Sequence, residues 1–167
     1  RPVDSIVYTG GGTIVNVRDL NGNSKPGWPV ELIGDSLFPD ATYSPPAIAD
    51  LDKDGLKEII INAYNRVYVL KYDGTNFNGW PQTTNEIFPN PPSVGDVDGD
   101  GDLEIFVSFS GGAVFGFHHN GTKVQGWPQR ITGSNFGTKG VPLILDLDND
   151  KVPEVILAGN NDNKVYA

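Results

Sequence analysis

Apolar residues run along this chain in short stretches broken by Gly, Pro, Asp and Asn, and no long amphipathic helical stretch is present. Ile59-Ile60-Ile61 is an apolar run, followed by a turn at Asn65, the alternating run Val67-Tyr68-Val69-Leu70, the turn Asp73-Gly74 and the triplet Gly79-Trp80-Pro81. The same series returns as Ile105-Phe106-Val107, Gly111-Gly112, Val114-Phe115-Gly116-Phe117, Asn120-Gly121 and Gly126-Trp127-Pro128. Asp-Gly and Asn-Gly between alternating runs are hairpin signals, because both tolerate positive φ. Each series therefore predicts a module of about four short strands.

Both ends of the chain enter the series partway through. At the start, Asp4, Ile6-Val7-Tyr8, Gly10-Gly11-Gly12, Ile14-Val15-Asn16-Val17, Asn21-Gly22 and Gly27-Trp28-Pro29 follow in the same order. At the end, Val155-Ile156-Leu157-Ala158, a turn near Asn160-Asn161 and Lys164-Val165-Tyr166-Ala167 stop inside an expected third strand. Four-stranded units with a period of about 46 to 54 residues are the signature of β-propeller blades. The expected fold is all-β, a propeller of four-stranded antiparallel blades with about three and a half present. The repeat units are placed at residues 1–42 (partial), 43–89, 90–139 and 140–167 (partial). A single blade cannot bury both of its faces, so this number implies part of a longer protein, an assembly of copies that closes the ring, or a small open structure.

Near the start of each unit lies the chemistry. Asp96-Val-Asp98-Gly-Asp100-Gly-Asp102-Leu-Glu104 carries five carboxylates in nine residues. Asp50-Leu-Asp52-Lys-Asp54-Gly55-Leu-Lys-Glu58 stands 46 residues before it, and Asp146-Leu-Asp148-Asn-Asp150-Lys151-Val-Pro-Glu154 stands 50 after it. Asp and Gly also make plain solvated turns, but three such loops in one phase argue for a shared ligand. Carboxylates at alternating positions of a tight loop converge on one point: Asp96, Asp98 and Asp100 supply oxygens, Asp102 offers its backbone carbonyl and Glu104 closes the shell. Leu56 and Val152 occupy the position of Asp102 in the other two loops. Six to eight hard oxygens suit Ca²⁺ better than Mg²⁺ or Zn²⁺. An EF-hand is excluded, since its twelfth position is Val107 here and the flanks are strand-like.

These residues resemble the FG-GAP repeat family, the integrin-α-type propeller, and the related VCBS repeats of secreted bacterial proteins. The likeness rests on Pro45-Pro46-Ala-Ile-Ala-Asp50 and Pro91-Pro92-Ser-Val-Gly-Asp96 leading into the loops, the D-x-D-x-D-G-x-x-E loops, and the Gly-Trp-Pro tails. In that family the loop joins the first two strands of a blade and binds Ca²⁺. The resemblance thus implies two to three ions, at Asp50, Asp52, Asp54 and Glu58, at Asp96, Asp98, Asp100 and Glu104, and at the third loop. There Lys151 replaces the turn glycine, so the third site is expected to be the weakest.

Composition narrows the functional classes. The net charge of −9 argues against a nucleic-acid partner, which needs a basic face. Thirteen of the 21 acidic residues lie in the three loops, and three bound Ca²⁺ would bring the balance to −3. The chain has no cysteine, which rules out disulfides and thiolate chemistry, no methionine, as expected of a processed protein or an excised domain, and no apolar run of membrane-spanning length. Gly10-Gly11-Gly12 is no phosphate loop, since no Lys-Ser/Thr follows. His118 and His119, the only histidines, are adjacent on a strand and point to opposite faces, which disfavours a shared metal or a catalytic pair. The repeated tryptophans are expected to pack between blades rather than to form a sugar-stacking surface.

The expected function is a non-catalytic, calcium-binding extracellular module with a protein or glycan partner, without membrane insertion. The alternative is the propeller portion of a secreted polysaccharide-degrading enzyme. The additional residues near 133–140, which lengthen the second spacing, form a candidate contact loop.

Overall fold

A computed structural model describes residues 5–9, 12–33, 42, 44–87, 90–109, 111–130, 140–159 and 164–167. Asp4, Gly10-Gly11, the 133–139 segment and Asn160-Asn161 lie outside the described residues. Among the described residues there are fourteen strands and no helix. They form four antiparallel sheets.

The first sheet holds β1 (Ser5–Thr9), β2 (Ile14–Asp19) and β3 (Val30–Glu31). The second runs β4 (Ala47–Ala49), β5 (Glu58–Ala63), β6 (Arg66–Leu70) and β7 (Gln82–Thr83). The third repeats it with β8 (Ser93–Gly95), β9 (Glu104–Ser108), β10 (Ala113–His118) and β11 (Gln129–Arg130). The fourth contains β12 (Leu143–Leu145), β13 (Glu154–Ala158) and β14 (Val165–Tyr166). Each sheet is an up-and-down meander, so these are propeller blades in an open series. Each acidic loop joins the first two strands of its blade: β4 to β5, β8 to β9 and β12 to β13.

The core is a set of sandwiches between blades. Side chains of β5 alternate, so Ile59 and Ile61 pack with Val15, Val17 and Trp28 of the first blade, while Ile60 packs with Ile105, Val107 and Phe117 of the third. β9 repeats this division, since Phe106 turns to Leu157 of the fourth blade. The apolar runs are continuous because both faces of these central strands are covered. Burial of each such side chain contributes about 1.5–3 kcal/mol.

The tryptophans lock successive blades together. The Trp28 indole donates to the Tyr72 carbonyl at 2.9 Å, and the Trp80 indole to the His119 carbonyl at 2.8 Å, each in the hairpin of the next blade. Trp80 also meets Phe117 edge-on, with centroids 5.7 Å apart. The adjoining glycines allow this approach: a Cβ on Gly79 would lie 2.0 Å from the Asn120 carbonyl oxygen, and one on Gly27 would lie 1.8 Å from that of Asp73. The Trp-Pro bonds at 28–29, 80–81 and 127–128 are all cis. Nearer the first strands, Asn62 Nδ2 donates to the Asn90 carbonyl at 2.6 Å, and Ser108 Oγ to that of Gly140 at 2.8 Å. In the β5–β6 turn the left-handed residue is Tyr64 (φ 51°), next to the expected turn residue Asn65.

Candidate metal centre

All three acidic loops are folded by their own carboxylates. Oδ2 of the first aspartate accepts the N–H five residues on, from Gly55 (3.2 Å), Gly101 (3.0 Å) and Lys151 (3.0 Å). Oδ1 of the second aspartate accepts the N–H of the third, at Asp54, Asp100 and Asp150. Oδ1 of the third aspartate accepts the N–H two residues on, from Leu56 (2.7 Å), Asp102 (2.8 Å) and Val152 (2.8 Å). The closing glutamate reaches back to the second loop residue, with Oε2 accepting from Leu51 (2.8 Å), Val97 (3.0 Å) and Leu147 (2.8 Å).

This bonding gathers the remaining oxygens. Asp50, Asp52 and Glu58 each offer an oxygen within 4.8 Å of the others, as do Asp96, Asp98 and Asp100, and Asp146, Asp148 and Glu154. Asp54 and Asp150 stand outside those groups, bonded to Leu56 and Val152. Of the three residues expected to present carbonyls, Leu56, Asp102 and Val152, the bonds seen are from their N–H groups, and the Asp102 side chain pairs with Lys53.

The electrostatics favour a cation. Glu58 and Glu104 are fully buried, and that burial pushes both carboxyls above the usual glutamate range, against the Leu51 N–H that pulls Glu58 down and the Val97 N–H and His118 that pull Glu104 down. Neighbouring aspartates raise both further. Oδ1 of Asp50 and Oδ1 of Asp146 are buried with no hydrogen-bond partner. Buried carboxylate oxygens without a donor are costly, and a bound cation would satisfy them. The donor set thus fits a metal ion, and its hard oxygens suit the calcium class. The acidic clusters can hold metal ions.

Sequence reading missed both histidines. Register places His118 opposite Glu104, and its Nδ1 lies 3.1 Å from Glu104 Oε1. His118 forms a further group with Asp98 and Glu104, while His119 Nδ1 lies 3.6 Å from Asp102 Oδ2. His118 thus pairs with Glu104, whereas His119 Nδ1 is buried and makes no hydrogen bond among the described residues. Counting back along the hairpin from Gly111-Gly112 would have found the His118 pairing.

The FG-GAP-like repeat profile matches residues 50–107 and again 96–157, so each match takes in two acidic loops and the blade between them. The chain belongs to the FG-GAP-like repeat family. Among solved structures, this FG-GAP-like chain resembles the V. cholerae biofilm matrix protein Bap1, with a TM-score of 0.63 and 23% identity over 92% of this chain and 21% of that one. It also resembles BBS1N, solved in complex with ARL6DN, with a TM-score of 0.55 and 12% identity over 92% of this chain and 43% of the other. At these identities the likeness is one of fold. The FG-GAP-like chain thus spans less than half the length of either neighbour. No curated protein sequence matches it significantly. Among the described residues, no helix is long and apolar enough to cross a membrane.

Proposed function

We propose that this chain is a calcium-binding, non-catalytic propeller module of an extracellular protein, which presents its surface to a protein or glycan partner in adhesion. The observation that carries the reading is the repetition of one loop geometry three times, with buried acceptor oxygens at Asp50 and Asp146 that lack a donor. Asp50, Asp52, Asp54 and Glu58 would hold the first ion, Asp96, Asp98, Asp100 and Glu104 the second, and Asp146, Asp148, Asp150 and Glu154 the third. The carbonyls of Leu56, Asp102 and Val152 would complete the shells. Bound calcium would neutralise the crowded carboxylates and stabilise the blades by mass action, because the unfolded chain has no such site. Millimolar extracellular calcium would fill weak oxygen sites of this kind. The biofilm matrix neighbour supports an adhesive role outside the cell.

Thermal unfolding with and without EGTA, with calcium counted by elemental analysis of the same sample, tests the metal reading. Two or three ions per chain and a clear loss of stability on chelation are expected; no bound calcium and no shift would overturn it. A glycan and matrix-protein binding screen tests the adhesive reading. Polymer-cleaving activity without any binding hit would favour an enzyme instead.

A further inference from the structure

Lys53 stands inside the first acidic loop, yet its ammonium is spent on the second. Its Nζ lies 2.8 Å from Asp102 Oδ1, across the gap between blades. A Cβ on Gly101 would lie 3.6 Å from the same nitrogen. Asp100 and Asp96 also attract it. The arrangement is particular to this pair of loops, because the corresponding positions between the second and third are Gly99 and Val152, which carry no charge. Lys53 is held in a left-handed conformation (φ 59°), the backbone setting from which this side chain crosses to the neighbouring loop.

We propose that Lys53 is a resident counter-ion of the second loop, which sets how tightly that loop takes calcium and links the first two loops. The inference rests on the calcium reading above. Without an ion, the ammonium offsets part of the repulsion among the five carboxylates of the second loop. With an ion there, the same ammonium is a like charge beside a divalent cation and opposes its binding. Lys53 therefore stabilises the calcium-free protein and lowers the affinity of the second loop. Both effects are coulombic, so both shrink as salt rises.

The test is calorimetric titration of calcium into chelator-stripped protein, comparing the natural chain with Lys53→Met, which keeps the stem, and Lys53→Arg, which keeps the charge. Lys53→Met should tighten one site about three- to tenfold at low ionic strength. Lys53→Arg should leave affinity near that of the natural chain. Unfolding in EGTA should show Lys53→Met melting earlier than the natural chain, an opposite sign that a purely local packing defect would not produce. The same substitution is then made in an Asp96→Asn background, where the second loop is impaired. If Lys53 acts on the second loop, the gain in affinity disappears there. A gain that persists in that background would place the effect in the first loop, and the proposal would fall. Equal affinities for the natural chain and Lys53→Met would also overturn it, as would Lys53→Arg behaving like Lys53→Met. Absence of calcium binding by the natural chain would instead bring down the underlying metal reading.

Discussion

The second and third acidic loops share one set of hydrogen bonds and differ in what those bonds cost. Both need left-handed backbone at the fourth and sixth positions. The second loop supplies Gly99 (φ 75°) and Gly101 (φ 86°), whereas the third forces Asn149 (φ 65°) and Lys151 (φ 77°) into the same conformation. Their surroundings differ as well. Glu104 is completely enclosed and faces His118, while Glu154 is half-buried and the adjoining Leu147 is 60% exposed. In the first loop the equivalent Leu51 is 1% exposed, because it packs against the third blade. The carboxylates thus specify the loop conformation. Glycine and blade packing then decide how much that conformation costs.

The widest separation between the two loops should come from chelation. At a hundredfold excess of calcium over its dissociation constant, each filled site adds about 2.7 kcal/mol to the stability of the chain. Urea unfolding with and without EGTA should show most of this gain lost in an Asp96→Asn/Asp98→Asn variant and little of it lost in Asp146→Asn/Asp148→Asn. Equal losses would erase the distinction. A smaller contrast is expected without calcium. Glu104→Ala leaves the Val97 N–H without its acceptor and should cost about 1–3 kcal/mol. Water can replace Glu154 at the exposed Leu147 N–H, so Glu154→Ala should cost less, by the same measurement.

Exchanging the turn residue isolates the cost of the left-handed backbone. Lys151→Gly should stabilise the chain by about 1 kcal/mol and tighten calcium binding in the third loop, since it relieves left-handed strain and removes a positive charge. Gly101→Lys should do the reverse in the second. The smallest effect is the pH dependence in EGTA. Burial raises Glu58 and Glu104 above their ordinary value of 4.5, so the folded chain binds protons that the unfolded one releases. The associated stability is fully present below pH 4.5 and is lost as pH rises through the folded values. The carboxyls of Asp19, Asp73 and Asp102, held below 3.8 by their hydrogen bonds, lose their contribution only at still lower pH. Melting temperature in EGTA should therefore rise as pH falls toward 4.5, and the calcium-dependent increment should shrink over the same range.

Much of this was legible in the sequence. The blade strands follow from apolar runs punctuated by Asp-Gly and Asn-Gly, and the interblade tryptophans follow from their repetition. The convergence of Asp96, Asp98 and Asp100 follows from spacing alone. What escaped was whatever depends on a second strand or a second blade. His118 meets Glu104 only through hairpin register, and Lys53 meets Asp102 only because neighbouring loops stack. The enclosure of Glu104 against the half-burial of Glu154 depends on packing that no local pattern encodes. The outer strands β3, β7 and β11 are two residues long, too short to show a period.

The contact between a tryptophan and the following hairpin has a consequence for how such chains can change. The second blade bears both halves of the fitting: an indole that reaches forward and a carbonyl that receives the indole of the unit before it. Trp80 uses its own blade's tail to reach His119, while the hairpin of that same blade accepts Trp28 at Tyr72. A copy of that blade inserted in frame would therefore meet its neighbours through joints of the same chemistry. The fitting is made between neighbours only, so it fixes how two blades sit without fixing how many follow.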